Sequence, residues 1–321
     1  MAAENRTIGL IGAVSAYLVW GFLPIFWKLF GKAGGWEVVA HRVLWSFIAI
    51  LLLLLIFGKI NKFREAYHYL VKVKKHAVCL ALAAGFAGVN WWINVYGVNS
   101  NQVVELGIGM FLTPLISVFL GVLFYHEKLP PLKWISILLA FLGLLIMIIQ
   151  LGRIPWIAVG VSSTWAIYGA LKKEIKIDPW ISNSIEAGLM LPLALVYIYT
   201  LNHLGSTHFF SGNPEEDLTI VLISTGIITT IPMIAFSYAA LNLPLNVLGF
   251  CMYINPILTL VVGIFIFKEP FNADQLVPLS FIWSSILLFL FSESRGLWTN
   301  RGKRIYNPLS AKNYHQFRRT K

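Results

Sequence analysis

Residues Val103 to Glu127 read VVELGIGMFLTPLISVFLGVLFYHE, and residues Leu245 to Glu269, 142 positions further on, read LNVLGFCMYINPILTLVVGIFIFKE. Pro114, Gly121 and Glu127 fall on Pro256, Gly263 and Glu269, so both stretches carry P-x6-G-x5-E. Tyr96, Leu106 and Gly107 fall on Tyr238, Leu248 and Gly249 in the same gapless register. At an offset of 144, Trp36 meets Trp180 and Arg42 meets Glu186. The chain therefore reads as two copies of one unit. Each copy is long and apolar enough to hold five membrane crossings, because a crossing needs about 20 largely apolar residues. Five is odd, so the second copy must enter the membrane upside down relative to the first. Such inverted repeats are the architecture of secondary transporters.

The rest of the chain fits that frame. Of 321 residues, 58% are hydrophobic and 12% charged, about half the charged share of a soluble domain. That composition excludes a disordered chain, a disulfide-stapled secreted module and a conventional soluble enzyme. Apolar runs predict ten spans. The first five are Ile8–Phe30, Trp36–Phe57, His76–Val98, Val103–Phe124 and Lys133–Gln150. The second five are Ile154–Leu171, Ser182–Leu201, Leu218–Ala239, Asn246–Phe267 and Leu276–Ser292. The expected organisation is a repeat over 8–150, a repeat over 154–292 and a basic cytoplasmic tail over 293–321. The fold class is all-α integral membrane protein. The first apolar run is too long for a signal-peptide core and is expected to stay as an anchor.

Net charge is +11, from 25 Lys and Arg against 14 Asp and Glu. With the N-terminus inside, twenty basic residues fall in inside segments and four outside, namely Lys28, Lys32, Arg153 and Lys268. Basic residues stay cytoplasmic during insertion, so both termini are expected in the cytoplasm of an inner-membrane protein. The charge then reads as topology and attraction to anionic lipid, with no nucleic acid implied. Phe63, Ala66, Tyr67, Leu70 and Val71 recur at helical spacing among Lys62, Arg64, Lys72, Lys74 and Lys75, which predicts a helix lying on the inner leaflet.

Chemistry-bearing motifs are few. GxxxxGK[ST], HExxH and a strand-linked GxGxxG are missing from the sequence, which argues against an enzyme and against a cofactor. Cys79 and Cys251 lie in apolar runs without CxxC spacing and read as packing residues. His203 and His208, in the outer connection Asn202–Asp217, read as solvated residues, so no metal site is expected.

Charges within spans are costly and usually face a cavity or a partner. Arg42 lies about two turns into its span, and its repeat counterpart Glu186 is the candidate partner; the alternatives are an anionic substrate group or snorkelling. Glu105, Glu186 and His41 are the proton-coupling candidates. Asn90, Trp91, Trp92 and Tyr96, with Tyr238, Tyr253 and Asn255, supply aromatic faces and amides suited to a midplane pocket for a small organic molecule. Together with Arg42 and Glu105 they form the expected substrate-binding set. Pro114 and Pro256 are the hinge candidates. Glu127 and Glu269, at span ends where the helix dipole disfavours an acid, read as loop-fixing residues.

These motifs resemble the drug/metabolite transporter superfamily with EamA-type repeats, and within it the RarD-like chloramphenicol-sensitivity group. The resemblance runs over nearly the whole chain. It is carried by Trp20-Gly21 with Pro24 and Lys28, by His41-Arg42-Val43-Leu44-Trp45-Ser46, by Asn90-Trp91, and by Gly249-Phe250 with Tyr253-Ile254 and Pro256. It implies a ten-helix inner-membrane permease with both ends cytoplasmic. Where the group typically reads L-E-x-S-L-G-Y-F-I-N-P-L, this chain has Val104-Glu105-Leu106-Gly107-Ile108-Gly109-Met110-Phe111-Leu112-Thr113-Pro114-Leu115. Serine, tyrosine and asparagine are thus replaced by Gly107, Met110 and Thr113, and Asn255 stands where the group often has glycine. The expected function is alternating-access transport of a small organic metabolite or drug-like compound, outward and proton-coupled. A receptor or a lipid scramblase on the same fold is the competing class.

Overall fold

The computed structural model describes residues 2–31, 33–100, 102–213, 215–268 and 273–299. The outer part of the basic tail, and Glu269, lie outside them. Among the described residues all regular structure is helical. The helices are α1 (Ala2–Trp27), α2 (Gly35–Ile56), α3 (Lys62–Lys72), α4 (Lys74–Asn99), α5 (Val103–Tyr125) and α6 (Pro131–Leu151), then α7 (Trp156–Glu174), α8 (Pro179–His203), α9 (Thr219–Asn242), α10 (Leu245–Met252), α11 (Ile254–Val261) and α12 (Leu276–Thr299).

Nine segments among the described residues are long and apolar enough to cross a membrane, α10 and α11 counting as one crossing over Leu245–Ile266. The remaining predicted span is α7, 19 residues closed by Lys172, Lys173 and Glu174. It packs against α4, α5 and α9, so protein replaces lipid around it and its sequence can be less apolar. The other helices present broad apolar faces to the outside, including Ile11, Leu55, Leu123, Leu193, Ile220 and Leu287. A water-soluble monomer does not expose so much large aliphatic surface. Lipid is the solvent of this bundle.

The helices pack mainly across the repeats. The main pairings are α1 with α9, α2 with α8 and α9, α4 with α7, α5 with α7 and α10, and α6 with α12. Exchanging each crossing for its counterpart five crossings away turns α1–α9 into α7–α4 and α5–α7 into α1–α11, and leaves α2–α8 and α6–α12 unchanged. The interfaces thus obey a two-fold relation, and the two copies interleave. Close approach is bought with glycine: a Cβ on Gly12 of α1 would lie 2.6 Å from the Ala235 carbonyl of α9. Gly12→Val should therefore cost about 1–3 kcal/mol, read as a lowered midpoint in thermal unfolding of the purified chain, because backbone must move to admit the side chain.

Polar clusters mark the two ends. At one end Arg6 bonds Glu293, so the first and last crossings start and finish together. Lys133 reaches Glu293 at 2.6 Å and Asn246 at 2.8 Å. Glu127 accepts from the backbone N–H of Leu245 (2.6 Å) and Asn246 (2.9 Å) and from the Asn246 amide (2.6 Å), which caps α10 and fixes the loop. Lys62 of α3 bonds Asp178, the N-cap of α8, at 2.5 Å, and this hydrogen bond raises the Lys62 pKa. The amphipathic α3 is thereby pinned to the bundle, with Tyr67 and Val71 exposed.

The repeat motif itself is packed asymmetrically. Gly249 of α10 lies close against the Pro114 carbonyl of α5, where a Cβ would sit at 3.0 Å. Its counterpart Gly107 has nothing within 4 Å. The α5–α10 pair is therefore tight toward the end that carries Arg6 and Glu293 and parted toward the other. The two prolines also differ. Pro256 follows a break at Tyr253 that separates α10 from α11, whereas α5 runs unbroken through Pro114.

Candidate functional site

A helix crossing lipid has no water to satisfy its polar side chains, so small polar residues along one face point to something they serve. Ser46 on α2, Asn183 and Glu186 on α8, and Thr229 and Thr230 on α9 converge at helical spacing. With Val43, Ile50, Trp91, Ala187, Met190 and Met233 they line a cavity of about 20 Å³, room for about one water molecule. Ser46 Oγ, Asn183 Oδ1 and Thr229 Oγ1 are buried and have no hydrogen-bond partner in the protein. Such orphans are uncommon in native interiors. Helices from both repeats build this space.

Glu186 forms one wall. Its carboxylate is 2.5 Å from Lys172 Nζ and accepts from Tyr168 Oη at 3.1 Å and Ser182 Oγ at 3.2 Å. Lys172 also bonds Ser182. Lys172 and Glu186 are each about 2% exposed, so this is a fully desolvated ion pair. The pairing of Arg42 with Glu186 expected from the repeat is therefore not present: Glu186 is held by Lys172, whose charge had counted toward the inside loops.

Arg42 stands one turn from Ser46 on the same face of α2. Its guanidinium lies 4.3 Å from the Trp91 ring centre and 5.8 Å from that of Trp27, and its Nε is buried without an acceptor. Among the described residues no carboxylate reaches it. His41 beside it accepts from Trp45 Nε1 at 3.3 Å, packs on Phe209 at 4.7 Å and leaves Nε2 unpartnered.

The other expected site residues lie elsewhere. Asn90 binds the Val161 carbonyl (2.8 Å) and Thr164 (2.9 Å) and so ties α4 to α7. Trp92 and Tyr96 stack on each other at 5.7 Å on the outside of the bundle, Tyr96 also touching Trp156. Both side chains are exposed, and Trp92, next to Trp91, points about 100° away from it around the helix. Glu105 is fully buried, ion-paired to Arg153 at 2.8 Å, and accepts from the Ile157 N–H at 3.1 Å, which caps α7. Tyr238 is near enough to Lys62 to raise its pKa, toward the Arg6–Glu293 end and off the cavity wall. Tyr253 is buried at the α10–α11 break with its hydroxyl unpartnered, and Asn255 accepts from Thr259 at 3.3 Å. Of the expected set, only Trp91 and Glu186 line the cavity.

At the far end the α8–α9 connection folds over the bundle. Glu37, 2% exposed, accepts from Thr207 (3.0 Å), from the His208 backbone (2.6 Å) and from its ring (2.8 Å). His208 is thus partnered and not merely solvated as expected; Phe209 lies over His41 and Trp45. Among the described residues no group of three or more potential metal ligands occurs.

Comparison with known proteins agrees with this layout. The EamA-like transporter family matches residues 7–149 and again 153–291. The chain is similar to Protein RarD of Salmonella typhi, 31% identical over 303 residues, covering 94% of this chain and 100% of that one. It is 31% identical over 290 residues to Protein RarD of Escherichia coli strain K12, covering 90% of this chain and 96% of that one. Similarity to the Chloramphenicol-sensitive protein RarD of Pseudomonas aeruginosa is 27% over 287 residues, covering 89% and 95%. A solved crystal structure, 15% identical, superposes with a TM-score of 0.65 over 89% of this chain and 96% of that one, which shows a shared fold.

Proposed function

The chain belongs to the EamA-like transporter family and is a multi-pass membrane permease, and we propose that it exports a small organic molecule by alternating access in exchange for protons. The observation that carries this reading is the cavity between α2 and α4 of one repeat and α8 and α9 of the other, mostly apolar in surface, with three orphan polar atoms on the residues that line it. A cavity of about 20 Å³ admits no organic substrate, so binding requires the helices to part. The α5–α10 pair supports such a change, because one of its two repeat-related close approaches is made and the other is not. The repeats 8–150 and 154–292 supply equivalent contacts for two packings of similar energy, one closed at each end.

Pro256, at the α10–α11 break, is our hinge; Pro114, inside an unbroken helix, serves as the surface that Gly249 meets. We place both termini in the cytoplasm of the inner membrane, from the distribution of Lys and Arg. The end closed by Glu127 and Lys133 is then cytoplasmic.

Glu186 is our proton site in preference to Glu105 or His41. Glu105 is held at the far end by Arg153 and the α7 N-terminus, and His41 lies under Phe209. Glu186 alone of the three lines the cavity. Protonating it would release Lys172, and the neighbouring Tyr168 and Ser182 offer hydrogen bonds to either form. In proteoliposomes holding a pH gradient, wild type should concentrate substrate on the acid side as protons leave it. Glu186→Gln should lose gradient-driven accumulation while retaining exchange of labelled for unlabelled substrate. Unaltered gradient-driven transport in Glu186→Gln would remove Glu186 from the coupling.

A further inference from the structure

We propose that Arg42 is the anchor for a carboxylate on the transported molecule, and that the substrate is a small organic monocarboxylate with an apolar body. The inference rests on the carrier reading and narrows it. Three buried charges in the spans have opposite partners: Lys172 has Glu186 at 2.5 Å, Lys133 has Glu293 at 2.6 Å and Glu105 has Arg153 at 2.8 Å. Arg42 has none among the described residues. Two indole faces flank it, at 4.3 Å and 5.8 Å, and these attract a cation without accepting its N–H groups in the guanidinium plane. Its buried Nε remains without an acceptor. A charge kept in a span without a counter-ion is expected to serve a ligand.

The neighbourhood states what the ligand looks like. A guanidinium fork matches a carboxylate in bidentate geometry. A single free cation balances one negative charge; the other cation near the cavity, Lys172, is already bound to Glu186 and Ser182. That favours a monocarboxylate over a phosphate dianion. Ser46, one turn from Arg42, and Trp91, which lies under it, both line the cavity. A carboxylate on Arg42 would thus lay its body between Trp91, Val43, Met190 and Met233. The unpartnered Asn183 Oδ1 and Thr229 Oγ1 would face any polar group it carries. Entry from the far end requires Phe209 to leave His41 and Trp45 and His208 to release Glu37.

The test uses the purified full chain and four probes: phenylacetate, phenylacetamide, hexanoate and hexanamide, titrated against intrinsic tryptophan fluorescence. The acids should bind at least about tenfold more tightly than the amides, the size expected for a charged hydrogen bond. Arg42→Gln should erase that preference and leave amide binding unchanged, with Arg42→Lys in between. Arg42→Gln should also melt at or above the wild-type temperature, since it removes a half-buried charge that lacks a counter-ion among the described residues. A lowered melting temperature that Glu186→Gln restores would identify Glu186 as the missing anion in another conformation and overturn the proposal. So would absence of acid binding, or equal binding of acids and amides. Counterflow in proteoliposomes separates the two levels. Acid binding without flux refutes the carrier and keeps the site; flux that ignores both the carboxylate and Arg42→Gln refutes the site and keeps the carrier.

Discussion

Replacing Lys172 by methionine is expected to destabilise the folded chain by about 3–5 kcal/mol, because it strands a buried carboxylate without its counter-ion. Lys172 and Glu186 are desolvated together, and among the described residues the other donors on the carboxylate are Tyr168 and Ser182. Both are neutral and cannot balance a full charge in a site walled by Met190, Met233 and Trp91. The double variant Lys172→Met with Glu186→Gln should recover most of the loss, since a neutral amide can keep the Tyr168 and Ser182 bonds. Reversible unfolding of the purified protein in mixed micelles measures all three. Acid should rescue Lys172→Met alone, by protonating Glu186. A loss below about 1 kcal/mol in the single variant would mean that water reaches the pair and that it behaves as a surface ion pair.

The second large effect concerns the closed end. Glu127→Ala should open it, measured as a severalfold faster alkylation of Cys251 in a Cys79→Ala background. Glu127 accepts from two backbone N–H groups at the start of α10 and from the Asn246 amide, and Lys173 lies 3.9 Å away. Removing it leaves three donors without their acceptor and should weaken this end by about 1–3 kcal/mol for each that stays buried. Cys251, in α10 and only partly buried, reports whether that helix shifts in the bundle. Alkylation unchanged from wild type would show that Glu127 merely fixes a loop. Glu127→Gln, which keeps an acceptor, should fall between.

Much of the architecture was legible in the chain because membrane physics writes it in long apolar runs and because duplication repeats rare residues at a fixed offset. The α7 crossing shows the limit of hydropathy, since its neighbours shield Lys172 and Lys173 from lipid. The site was harder to read. Trp91 and Trp92 are adjacent letters, yet one lines the cavity and the other faces outward, a distinction only helix rotation decides. Asn90 and Glu105 were chemically attractive and prove to be ties between helices. The cavity wall was present as a pattern: Asn183, Glu186, Ala187 and Met190 recur at i, i+3, i+4 and i+7, as do Val43, Ser46 and Ile50 at i, i+3 and i+7. Small hydroxyls on such a face carry less chemical colour than tryptophan. Glu37 gave no signal, because its partner His208 is 171 residues away and the fold alone joins them.

Spin labels test the central claim most directly, one pair at Val104 of α5 and Phe265, one turn beyond α11, across the far end, and one at Leu123 and Leu241 across the Glu127 end. In proteoliposomes shifted between acid and alkaline buffer, with and without Glu127→Ala, the account predicts two populations in which one distance lengthens as the other shortens. A single unchanging population under every condition, or two distances that grow and shrink together, would contradict it.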